Sequence, residues 1–103
     1  MKHFLLIAFC ASTLTAVTPA VADAAQIKRA CLASDRAAAT RQRCRCIQSV
    51  ADQVLTRRDQ KTVAKWFTDP NQAQEIKMSK SARDDALWER YQAFGQVAQA
   101  SCS

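Results

Sequence analysis

The chain is predicted to be all-α, a small bundle of three to five helices stapled by two disulfides. Three observations carry this. One glycine and two prolines in 103 residues leave too few turn-formers for the closely spaced reversals of an all-β fold. Apolar residues in the second half of the chain recur at helical spacing and do not alternate. Beyond residue 22 there are four cysteines, Cys31, Cys44, Cys46 and Cys102, an even number in a small chain with an export signal, where structural disulfides are the default.

The first 22 residues have the layout of a secretory signal. Lys2 places positive charge beside the start, and Phe4 to Ala11 form an apolar run well short of the roughly 20 residues that span a bilayer. Pro19 ends the apolar region, and Ala20 and Ala22 are the small residues a signal peptidase requires. Cleavage is expected after Ala22, with Ala24 as second choice. Cys10 follows Phe9, not a small residue, so lipid attachment there is not expected. The chain thus divides into a signal peptide over 1–22 and a single helical domain over 23–103, expected in the periplasm. A domain of 81 residues is near the size at which an apolar core alone supplies only about 3 to 5 kcal/mol, so covalent staples have a clear purpose.

Ala24 to Leu32 is a short, alanine-rich helix, with Ser34 and Asp35 ending it. From Arg41 to about Arg57 the apolar residues Ile47, Val50, Ala51, Val54 and Leu55 mark one buried helical face. Asp59 is expected to cap a short helix carrying Val63, Trp66 and Phe67. Asp69 followed by Pro70 starts another, a capping carboxylate before proline at the first helical position. Ser81 to Asp84 resembles a capping box, after which Leu87, Tyr91, Phe94, Ala98 and Cys102 run down one side of a long final helix. Gly95 within it costs about 1 kcal/mol relative to alanine, which implies that another backbone passes close by.

Cys44 and Cys46 lie about 200° apart around a helix, so each looks to a different partner. They flank a face centred near Ile47 and Val54, one toward Cys31 and the other toward Cys102. A hairpin of the first two helices marginally favours Cys31 with Cys46 and Cys44 with Cys102; the swapped pairing stays open. A thiol-disulfide exchanger using the Cys-x-Cys pair is an alternative, since Arg41, Arg43 and Arg45 would depress the thiol pKa values of a reduced pair.

Residues 23–58 hold eight basic residues against Asp23, Asp35 and Asp52, whereas 59–103 hold six of each sign. The basic half, with Arg41, Arg43, Arg45, Arg57 and Arg58, points to an anionic partner, either an envelope protein or an anionic envelope surface. Nucleic acid is not an expected partner. The single histidine, His3, leaves with the signal, so no Ser-His-Asp or Cys-His system is available. Asp84 and Asp85 point about 100° apart on a helix and cannot share a proton, and no phosphate-cradling glycine loop is present. No enzymatic activity, cofactor or metal is expected. Five aromatics, Trp66, Phe67, Trp88, Tyr91 and Phe94, all lie in the second half and are expected to dominate the core, the rival being an exposed platform beside Arg90.

The string Cys44-Arg45-Cys46-Ile47-Gln48, with Val50-Ala51-Asp52, Asp59-Gln60, Phe67-Thr68-Asp69-Pro70, Ala73-Gln74-Glu75, Trp88 to Gly95 and Cys102, resembles a family of short exported alphaproteobacterial proteins commonly labelled arginine transporters. The resemblance covers nearly all of the domain. Arg45 departs from it, since the family usually has a small residue between its paired cysteines. No apolar run of about 18 or more residues follows the signal, so the domain cannot itself form a membrane path. The resemblance implies at most an accessory to arginine or amino-acid transport, with Asp84, Asp85 and Glu89 beside Trp88 as candidate guanidinium-binding residues. The leading expectation is a non-catalytic binding or scaffold protein.

Overall fold

The computed structural model describes residues 24–103; the expected signal peptide and its cleavage site lie outside the described residues. Five helices form the described chain: α1 (Gln26–Ala33), α2 (Arg41–Val54), α3 (Arg57–Trp66), α4 (Pro70–Met78) and α5 (Ala82–Cys102). No strand occurs among the described residues, and two disulfides tie the helices together.

Each later helix begins on a side-chain cap that offers oxygen to a backbone N–H otherwise left unpaired. Thr40 accepts from the Arg43 amide, Thr56 from Asp59, Asp69 from Asn71 and Ser81 from Asp84. The expected cap at Asp59 is therefore corrected. Thr56 performs that role and Asp59 sits in the first turn of α3, which ends α2 at Val54 and leaves only Leu55 and Thr56 as the connection.

α1 starts differently. Its N-cap, Ala25, has no side chain able to cap. Gln48 of α2 supplies the acceptor instead, its Oε1 receiving the Lys28 amide at 2.8 Å. The Gln48 Nε2 group donates to Asp52 Oδ1 (2.8 Å) and Gln60 Oε1 (2.9 Å). Gln60 Nε2 in turn donates to Asp52 and to the Leu55 carbonyl. Gln48 and Gln60 are 7% and 3% exposed. Burial of amides is tolerated because their hydrogen-bonding capacity is met; among the described residues no buried side-chain N or O lacks a partner.

The apolar core comprises Ile27, Val50, Ala51, Leu55, Val63, Trp66, Ala73, Leu87 and Phe94. α1 packs on α2 and α3, α5 lies along α2, and α4 closes α3 against α5. The aromatics divide between core and rim. Trp66 and Phe94 are buried, while Phe67, Trp88 and Tyr91 are half-buried. Tyr91 meets Trp66 edge-on at 4.9 Å and Trp88 at 5.3 Å, separations at which aromatic rings attract beyond area burial.

Two expectations are corrected here. The bridges join Cys31 to Cys44 and Cys46 to Cys102, the reverse of the marginally favoured pairing. The reason is Gln48. Counting it as buried, the stripe Cys44, Gln48 and Ala51 faces α1, which turns Cys44 toward Cys31 and Cys46 toward α5. The backbone expected near Gly95 is also absent: a Cβ added there would meet nothing within 4 Å.

Candidate functional site

The basic residues named from the sequence do not form one cluster. Arg41 and Arg45 are exposed and one helical repeat apart on α2; Arg57 and Arg58 are exposed at the start of α3. The two pairs are separated by most of the length of α2, about 20 Å at the rise of an α-helix. None of these four guanidinium groups has a hydrogen-bond or ion-pair partner among the described residues, whereas Arg90 is held by Asp59 at 2.7 Å and 3.0 Å.

Arg43 turns the other way. Its Nε donates to the Cys102 carbonyl (3.1 Å) and its Nη1 to the Ala38 carbonyl (3.2 Å). A cation at the last carbonyls of α5 is favoured by the helix dipole. The same contact straps the loop between α1 and α2 to the end of α5.

The two bridges differ in access. Cys31 and Cys44 are 3% and 0% exposed, whereas Cys46 and Cys102 are half-buried and line a shallow polar hollow with Thr40, Gln42, Arg43, Ser101 and Ser103. The members of the Cys-x-Cys pair are thus committed to different bridges, one sealed and one reachable by solvent.

The guanidinium-binding candidates are dispersed. Asp84 lines a hollow of about 270 Å³ together with Arg58, Arg83 and Arg90. Trp88 has the Lys77 ammonium over its ring at 5.8 Å, while Asp85 and Glu89 are exposed. A cation approaching Asp84 would meet three arginines. The acidity of Asp59 belongs to the ion pair: the hydrogen bond from Arg90 lowers its pKa, outweighing the opposing effect of burial, and further lowering comes from the Arg90 charge and Thr56.

Sequence reasoning missed a groove on the α5 side of α2. One hollow of about 330 Å³ is lined by Arg43, Ile47, Ala98, Gln99, Cys102 and Ser103. A second, about 210 Å³, shares Arg43 and Ile47 and extends past Phe67, Arg36, Ala38 and Ala39 to Cys31. Arg36 stands over the Phe67 ring at 5.6 Å. The only signal available in the sequence was Ile47, assigned to the core but half-buried in fact; the other walls come from separate elements.

No family model, curated protein or solved structure matches this chain. Among the described residues no helix is long and apolar enough to cross a membrane. The case for function therefore stands on the charges, the bridges and the groove.

Proposed function

We propose that this chain is a small, disulfide-stabilised, non-catalytic binding protein of the periplasm that docks on an anionic envelope surface. The observation that carries the reading is the set of four exposed guanidinium groups, Arg41, Arg45, Arg57 and Arg58, with no partner in the described chain. Pairs set about 20 Å apart along a helix suit an extended surface better than a compact ligand. Each guanidinium gains charge-assisted hydrogen bonds from phosphate or carboxylate. Arginine at the first turn of a helix also works against the helix dipole, so an arriving anion relieves an unfavourable arrangement at both sites.

Co-sedimentation with phosphatidylglycerol vesicles tests this. Binding is expected to fall as salt rises, because exposed charges are screened beyond about 8 to 10 Å at physiological ionic strength. It should fall further in Arg57→Glu/Arg58→Glu and Arg41→Glu/Arg45→Glu variants. Equal retention by phosphatidylcholine vesicles, or binding indifferent to salt, would remove the proposal. Selective capture of one envelope protein with no vesicle binding would replace the surface with a protein partner.

A further inference from the structure

The geometry points to a second binding element that deepens the anionic-partner reading while using different residues: the groove beside α2 takes the chain of a single-chain anionic amphiphile, a fatty-acid carboxylate, with Arg36 and Arg43 receiving its head.

The floor of the groove is apolar. Ile47 of α2, Phe67 at the end of α3, and Ala98 and Cys102 of α5 line its two joined hollows of about 330 and 210 Å³, a size in the range of small-molecule sites, about 300 to 1,000 Å³. Ile47, Phe67, Ala98 and Cys102 all remain half-buried, so apolar area is still open to be covered, at about 25 cal/mol per Å².

Charge selects the head group. The lining of both hollows contains two guanidinium groups and no carboxylate. Arg36 is exposed and held only over the Phe67 ring, which leaves its N–H donors available. Arg43 engages two carbonyls and has further donors to offer, since a guanidinium carries more N–H groups than that. A carboxylate at this rim meets paired donors in the geometry arginine favours, whereas a cationic head would be repelled.

Width selects the tail. Ala38 and Ala39, on the loop strapped by Arg43, wall the smaller hollow against Phe67 and Ile47. An α-helix with its side chains is about 10 to 12 Å across and would have to displace that strap. One acyl chain would not.

Laurate below its micelle concentration, titrated calorimetrically into the disulfide-bonded protein, tests the inference. Saturable one-site binding is expected, with dodecyltrimethylammonium, a cation of the same tail length, weaker by about tenfold or more. Ala98→Phe fills the larger hollow, and Gln99→Glu adds a carboxylate at an exposed position that does not bear on folding; each should weaken laurate by about tenfold. No saturable laurate binding, equal binding of the cationic analogue, or indifference to both substitutions would overturn it. The two proposals fail separately. Arg57→Glu/Arg58→Glu should lower vesicle binding and leave laurate unchanged; laurate failure with vesicle binding intact removes the groove alone.

Discussion

Along one edge of α2, Cys44, Gln48 and Ala51 are shut against α1; along the other, Cys46 and Ile47 face α5 across an open groove. The closed edge meets every polar requirement internally: a sealed bridge, a glutamine capping a neighbouring helix, and a second glutamine completing the network. The open edge carries a solvent-reachable bridge, an arginine strapping a loop, and apolar side chains left half-covered. Both edges are cross-linked, so the difference is not one of attachment. It lies in how much of each interface the chain itself fills, and only the unfilled one has room for something else.

The largest expected effect concerns the bridges. Cys46 and Cys102 are 56 residues apart and Cys31 and Cys44 are 13 apart. In the chain-entropy model these closures contribute about 4 and about 3 kcal/mol. Denaturant unfolding of Cys46→Ala/Cys102→Ala should show a loss of about 4 kcal/mol, a large share of the total for so small a domain. Access should rank the bridges the other way for chemistry. Under mild reductant followed by alkylation, mass spectrometry should find Cys46 and Cys102 labelled while Cys31 and Cys44 remain joined. Simultaneous labelling of all four would break the comparison.

The next effect tests the closed edge. Gln48→Ala leaves the Lys28 amide without its acceptor and Gln60 Oε1 without its donor, which should cost about 2 kcal/mol by denaturant unfolding. A loss below half of that would mean that water replaces the glutamine readily and that the edge is less closed than its geometry shows. Gly95→Ala should act in the opposite direction. The added Cβ meets nothing, the backbone has no positive φ, and alanine should stabilise α5 by roughly 0.5 to 1 kcal/mol, read as a raised Tm.

The smallest effect is pH-dependent. The pKa of Asp59 is lowered below its ordinary value by Arg90, so the pair contributes fully above that value and its contribution fades as pH falls through the depressed one. Asp59→Asn should therefore lower Tm slightly at neutral pH and flatten its decline below about pH 4. An unchanged acid limb would show that other carboxylates govern it. The effect is small because the Arg90 side chain is 44% exposed and water screens it.

Much of the fold was readable in the linear chain. Proline after Asp69 and serine before Asp84 announced the starts of α4 and α5, because capping is settled within one turn. Asp59 misled because it lies three residues after Thr56, at the other end of the same local pattern. The candidate site was less legible. The arginines were visible, but their division into outward pairs and an inward Arg43 depended on where α5 ends. The groove was invisible because Arg36, Ile47, Phe67 and Ala98 belong to four separate parts of the chain.

By itself, the sequence determined an all-helical domain, its capped helices and the capacity for two bridges, since periodicity, capping and cysteine number are properties of neighbouring residues. Tertiary structure alone decided which cysteines joined and which edge of α2 stayed open. Gln48 explains why. An apolar pattern treats a glutamine as surface, yet this one is buried as the cap of α1, and burying it rotates α2 so that Cys44 meets Cys31 and Cys46 meets Cys102.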